Sequence, residues 1–362
     1  LREILLRPTY PWDAWGAWAV KPKAWFLLGH YVPFVDVVRW VRNVPKEWYT
    51  TSAWDYPSTL AWLQVWFASA AGGWIEPAVN LPWLAIWLAL LAAHYGQWRA
   101  LGLSRLRAGA FVYALGSLPL LDTHVALAGY ADLWVATLFG LAALAWVRWM
   151  EQRDFAQLAI AIVCALTLPW LKHEGVVWAL CLGAAMLFAA TPARWRWRAL
   201  GAVVLIGLIV ALSGRLPLLL TVFGWVRSGS HAIELPVVGS LAFAWHGEAA
   251  IGIVRGLFVQ PNWHLLWWLS PIVVIARWRV LASSPSMRML GLLVAGCLAL
   301  LLVLFVFTDA SRWAESFTAV NRLVMHLVPA LVTFLALLLR GAEFFPERSD
   351  TAQASDPLPD PA

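Results

Sequence analysis

ADLWVATLFGLAALAWVRW, residues 131–149, carries Asp132 at one end, Arg148 at the other and no charged side chain between them. As a helix rising 1.5 Å per residue it is roughly 28 Å long, about the thickness of a bilayer's hydrocarbon core. Only a helix or a closed barrel satisfies its own backbone in lipid, and this length and composition read as a transmembrane helix. Similar apolar segments lie on both sides of it, near 58–72, 81–97, 106–121, 155–171, 175–191, 199–222, 263–277, 288–308 and 323–340. The fold class that follows is an all-α polytopic membrane protein with about nine or ten transmembrane helices.

Composition agrees with this reading. Hydrophobic residues make up 62% of the 362 positions and charged residues 13%, against roughly 45–50% and 25% in an ordinary soluble domain. The mean hydropathy is +0.70. Disordered, disulfide-scaffold and nucleic-acid-binding classes are excluded, because each needs a polar, Cys-rich or strongly basic surface. The net charge of +6 comes from basic residues scattered between apolar segments. Cys164, Cys181 and Cys297 all sit inside apolar segments without Cys-x-x-Cys spacing and read as buried thiols. The 27 tryptophans suit the two membrane–water interfaces, where an apolar ring with a polar N–H is at home.

The short joints at 98–107, 148–154, 194–198 and 277–288 carry Arg99, Arg105, Arg107, Arg148, Arg153, Arg194, Arg196, Arg198, Arg277, Arg279 and Arg288. By the positive-inside rule they are cytoplasmic. The alternate joints, 122–130, 172–174, 214–262 and 309–322, then face the other side. This parity leaves 58–72 as a re-entrant or half-spanning helix and puts residues 1–57 outside, as a first outer loop with amphipathic helices. It predicts that a first transmembrane helix precedes residue 1. The domain layout is one integral membrane unit over 1–340: the outer loop, a helical module over 58–213, an outer loop with an amphipathic helix over 214–262, and the C-terminal helices over 263–340. Residues 341–362, rich in Pro, Asp and Ser, read as a disordered cytoplasmic tail.

In a chain this apolar, ionisable groups at helix ends are candidate functional groups. Asp13 stands among Trp12, Trp15 and Trp18, with Lys21 and Lys23 following; it suits a general base or a helix N-cap. Trp54-Asp55-Tyr56-Pro57 precedes the half-length segment and also reads as a helix start. Asp122 and His124, with Gly129-Tyr130-Ala131-Asp132, lie on one outer turn and suit metal binding, sugar binding or capping. Lys172-His173-Glu174-Gly175 puts three ionisable groups between two apolar helices, where a lysine suits a phosphate. Asp309, Arg312, Glu315, Asn321, Arg322 and His326 form the last cluster, with Arg322 and His326 four apart on one helical face. Residues 237–258 read as a helix on the membrane surface. A Gly-rich nucleotide loop, a Ser-His-Asp arrangement and a His-Glu-x-x-His spacing are all absent.

In their order, the acidic Trp-Asp-x-Trp motif, Asp-Tyr-Pro, Gly-Tyr-Ala-Asp-Leu and Lys-His-Glu-Gly resemble the bacterial multi-spanning glycosyltransferases of the GT-C superfamily. The likeness is to family-39-like members, relatives of the dolichyl-phosphate-mannose protein mannosyltransferases, over residues 10–190 and weakly to 330. The chain departs from many relatives in having Asp55-Tyr56-Pro57-Ser58 where they carry His-Pro-Pro-Leu or a second acid beside the first. It also has His173 where Asn is common.

The resemblance implies an inverting transfer of a sugar from a polyprenyl phosphate to a hydroxyl of a glycan, lipid or protein, at the periplasmic face of a bacterial inner membrane. It maps the catalytic acid onto Asp13. Lys172 and Arg322, or alternatively Lys21 and Lys23, would meet the donor phosphate. Trp12, Trp15, Asp55, Tyr56, His124, Asp132, His173 and Glu174 would line the substrate site. A divalent metal is left open, with Asp13, Asp55, Asp122 and His124 as candidate ligands. A flippase or exporter of lipid-linked sugar, and a polysaccharide polymerase or ligase, are the rival readings.

Overall fold

The computed structural model describes residues 2–43, 47–192, 228–229, 232–235, 239–242 and 244–341, with residues 194–196, 198, 201 and 205. Among the described residues, four helices are long and apolar enough to cross a membrane: Glu76–Ala100, Asp132–Gln152, Pro285–Phe307 and Val320–Leu338, of 25, 21, 23 and 19 residues. The protein is an integral membrane protein with an all-α spanning region. Its outer faces carry apolar side chains such as Leu88, Leu106, Leu292, Leu302 and Ile275, all exposed, as a surface solvated by lipid requires.

The Val320–Leu338 helix is the axis of the bundle. Every residue along it is buried except Arg322, and it packs closely on the Asp132–Gln152 helix. The close approach is made at Gly140, where an added Cβ would lie 2.5 Å from Cβ of Pro329. Trp98 of the Glu76–Ala100 helix donates its indole N–H to Thr333 Oγ1 at 3.3 Å. Small residues at such crossings let backbones meet where lipid offers helices no hydrophobic drive to associate.

Three of the arginine-rich joints, 98–107, 148–154 and 277–288, gather at one end of the bundle. Arg340 donates to Glu151 Oε2 at 2.7 Å and to the Leu101 carbonyl at 3.1 Å. Arg107 donates to the Arg340 carbonyl at 2.6 Å, Arg277 to that of Leu338 at 3.1 Å, and Arg148 to Gln97 at 3.0 Å. The Arg277 bond satisfies a carbonyl at the C-terminus of the last helix, where the final carbonyls have no partner within the helix, and the Arg107 bond satisfies the Arg340 carbonyl just beyond it.

Several apolar segments break where the sequence reading expected continuous helices. Residues 106–121 fold as Arg105–Gly116 and Pro119–Ala126. Leu118 between them is extended, because a residue before proline is pushed out of the helical region. Residues 155–171 run as Phe155–Thr167 and a 3₁₀ turn, Leu168–Trp170, entered at Pro169. The helix in 263–277 covers only Leu266–Ala276. The 58–72 segment forms the 12-residue helix Thr59–Ala70, about 18 Å long and shorter than a bilayer's hydrocarbon core. Only 201 and 205 of the expected 199–222 helix are described; His231 and the tail beyond Gly341 lie outside the described residues.

The N-terminal segment before the Thr59–Ala70 helix forms short helices, Arg2–Leu6, Val20–Leu28 and Val37–Arg42, with a π-helical turn at Ala14–Trp18. The expected surface helix over 237–258 begins later, at Gly247, and runs to Phe258. Residues 239–242 instead form one edge of a small antiparallel ribbon with Ala232–Leu235 and Ser228–Gly229.

Gly140→Leu is expected to destabilise the bundle by about 1–3 kcal/mol, because the side chain has no space against Pro329. Gly183→Leu, where nothing lies within 4 Å of the new Cβ, should leave the fold unchanged. Urea unfolding in detergent, followed by tryptophan fluorescence, distinguishes the two.

Candidate functional site

At the opposite end of the bundle from the arginine clamp, the first turn of the Asp132–Gln152 helix buries Asp132 completely. Both of its oxygens are engaged. Oδ1 accepts from Lys172 Nζ at 2.9 Å and from His326 Nε2 at 3.0 Å. Oδ2 accepts from Arg322 Nε at 3.1 Å and Nη2 at 2.8 Å. The histidine's role in this set is determined by its other side. Trp178, an indole that can only donate, gives its N–H to His326 Nδ1 at 2.9 Å. The ring proton is therefore on Nε2, and His326 serves as a neutral donor to the carboxylate.

Lys172 lies in the turn between two helices and also meets Glu174 Oε1 at 3.0 Å. Burial pushes its ammonium pKa down, but the carboxylates of Asp132 and Glu174 outweigh that and hold it above the ordinary lysine value. Lys172 is a permanent cation. Arg322 extends its remaining arm outward, with Nη1 donating to Asp13 Oδ2 at 2.8 Å. Its guanidinium lies 4.6 Å over the Tyr130 ring, so one face is covered by an aromatic and the group is held in plane.

Asp13 reaches this point because its loop is drawn against the Gly-Tyr-Ala-Asp segment. Gly129 has φ +116°, and a Cβ on it would meet that of Ala14 at 2.6 Å. Glycine is required there for both reasons. Thr9 tethers the same loop, donating its N–H to Glu76 Oε2 at 2.5 Å and its hydroxyl to Asn80 at 3.0 Å. Asp13 precedes the Ala14–Trp18 turn but makes no side-chain capping bond to it. Its carboxylate, 45% exposed, goes to Arg322 instead.

These groups border a cavity of about 540 Å³. Asp13, Lys172, Glu174 and Arg322 stand at its polar end, with Tyr56 and His173 beside them. Its other wall is apolar, made by Val177, Leu300, Val303 and Leu304. Leu300 and Val303 are themselves exposed on the outside of their helix, so this wall is continuous with the lipid-facing surface. Burial and the charge of Glu174 push the Tyr56 hydroxyl up to about 12, which keeps it a proton donor.

The structure thus brings together Asp13, Tyr56, Asp132, Lys172, His173, Glu174 and Arg322. Asp55 joins at the edge, its Oδ2 3.4 Å from His173 Nε2. Other candidates fall elsewhere. Lys23 turns away and pairs with Glu76 at 3.5 Å. Lys21 is buried behind Tyr56, donating to its carbonyl at 2.8 Å. Trp12 and Trp15 form an exposed edge-to-face pair, centroids 5.4 Å apart, outside the cavity lining. His124 packs on Tyr130 with Nδ1 on the Leu120 carbonyl, and Asp122 is exposed. Of the candidate metal ligands, Asp122 and His124 therefore do not join Asp13. Among the described residues no three His, Cys, Asp or Glu side chains form a metal-holding group. Trp178 is the partner the sequence reading missed; it lies one helical turn after Glu174 on the same face.

Asp132→Asn leaves Lys172 and Arg322 buried with one fewer counter-charge. It should cost about 3–5 kcal/mol, as breaking buried pairs does, measured as urea unfolding in detergent; the exposed Asp13→Asn should change stability little. Lys21 gives a pH signature. Burial lowers its ammonium to about 8, against the opposing pull of Asp55, from 10.5 for the free group. Between those values the unfolded chain holds a proton that the folded chain has released, so stability rises with pH across this window, by up to about 3 kcal/mol. Lys21→Met should abolish that rise in the same unfolding measurement. Compared with family models, curated proteins and solved structures, the chain gives no match, and the geometry alone carries the functional reading.

Proposed function

We propose that the protein is a membrane glycosyltransferase that moves a sugar from a polyprenyl-phosphate donor to an acceptor hydroxyl at the outer, periplasmic face of a bacterial inner membrane. The observation that carries this reading is one cavity with a half-exposed carboxylate, Asp13, beside two anchored cations, Lys172 and Arg322, and an apolar wall open toward lipid. A donor with a phosphate head and a long isoprenoid tail matches both ends of such a cavity. A soluble nucleotide sugar has no use for the apolar wall.

In this mechanism the acceptor hydroxyl gives its proton to a carboxylate oxygen of Asp13. The acceptor oxygen bonds to the anomeric carbon from the face opposite the phosphate, inverting that centre. The bond between the anomeric carbon and the phosphate oxygen breaks, and its electron pair leaves on the lipid phosphate. Lys172 and Arg322 stabilise the charge that grows there, already oriented by Asp132, so little reorganisation accompanies the reaction. Tyr56, kept protonated, donates to the phosphate or to a sugar hydroxyl.

The test is release of free polyprenyl phosphate from a panel of polyprenyl-phosphate sugars by the purified protein in lipid. Asp13→Asn should lower turnover by about 10² to 10⁴-fold, the ordinary contribution of general-base catalysis, with lipid phosphate still bound. Full activity in Asp13→Asn would exclude it as the base. Binding without release by the wild type, for every donor supplied with acceptor, would favour a carrier of lipid-linked sugar instead.

A further inference from the structure

Arg322 already gives three of its five N–H donors to carboxylates. Its Nε and Nη2 donate to Asp132 and its Nη1 to Asp13, while Tyr130 covers one face. The charges around it are already unbalanced: Asp13, Asp132 and Glu174 face Lys172 and Arg322, and the hydrogen bonds of His326 hold it neutral. Three carboxylates against two cations leave an excess negative charge before any anion arrives. A phosphate entering this set is repelled unless one carboxylate withdraws.

Only one is placed to do so. Asp132 is fully buried on four hydrogen bonds. Glu174 is in the first turn of its own helix, where the helix dipole favours a carboxylate, and it is paired with Lys172. Asp13 is held by a single ion pair among the described residues, is 45% exposed and makes no capping bond.

We propose that Arg322 latches Asp13, and that an incoming lipid-borne phosphate takes Asp13's place on the guanidinium and thereby frees the base. This rests on the transferase reading above and adds an order to it. An acceptor or a water that arrives before the donor meets a carboxylate tied through Oδ2 to the Arg322 guanidinium. The carboxylate is released from the guanidinium when the leaving group takes its place on the cations. Arg322 keeps its bidentate grip on Asp132 throughout, so its one outward arm changes partner while the rest of the cluster stays in place.

The latch makes a prediction that a simple base does not. Removing the Asp13 carboxylate should strengthen phosphate binding while it lowers turnover. The experiment measures the dissociation constant of a polyprenyl phosphate, without sugar, for the full-length chain in phosphatidylcholine nanodiscs, a zwitterionic lipid that brings no competing anionic headgroup. Wild type, Asp13→Asn and Asp13→Ala are compared. Both variants should bind roughly three- to thirtyfold tighter, because each removes one competing charge from Arg322. Affinity within twofold of wild type, or weaker, in both variants overturns the latch and leaves the transferase reading standing. Tightening in Asn alone also overturns it, since the amide would then be bonding the phosphate itself. No saturable binding by any of the three overturns the transferase reading and the latch together.

Discussion

A carboxylate with no exposure, at the head of a helix in a bundle solvated by lipid, is costly unless every lone pair is matched. Asp132 is that carboxylate, and the arrangement of this end of the protein follows from supplying its partners. Arg322 and His326 come from the last helix, four residues apart and therefore on one face. Lys172 comes from the turn before the Glu174–Ala190 helix. Trp178, one turn into that helix, reaches across to His326 and sets its tautomer. Three elements are thus tied at one point. The last helix can be buried along its whole length with Arg322 as its one polar outlet because the cost of that arginine is met here.

The helical architecture was largely legible because hydropathy and basic joints are properties of short stretches of chain. Arg107, Arg148 and Arg277, from three of the basic joints, do meet at one end, where Arg340 joins them. Breaks were less legible. Hydropathy does not register that Leu118 precedes Pro119, although the proline rule itself was available in the sequence.

The site was legible as a set of residue types and much less as a geometry. Which side chains meet depends on how each helix is rotated about its axis, and hydropathy constrains that weakly where both lipid and core are apolar. Lys21 and Lys23 show the consequence. Two positions apart on one short helix they cannot share a face, and one turns inward to the Tyr56 carbonyl while the other goes out to Glu76. Trp12 and Trp15 flank Asp13 in sequence, yet the π-helical turn that follows carries them out of the cavity lining. His326 was visible as a neighbour of Arg322. Its dependence on Trp178, 148 positions away, was not.

The two carboxylates joined through Arg322 differ in the property that separates structure from chemistry. Asp132 has no lone pair left for a proton and no path to one, so its charge serves to place two cations and keep them charged. Asp13 is the same functional group with half its surface in solvent and one partner to give up. A general base must be able to exchange its hydrogen-bond partner for a substrate proton, and of the two only Asp13 can do this without leaving a buried cation unpaired. Arg322 stays compensated by Asp132 whichever way its outer arm turns. The buried pair therefore makes a movable outer pair affordable, in a membrane environment where a free charge would otherwise be too costly to hold ready.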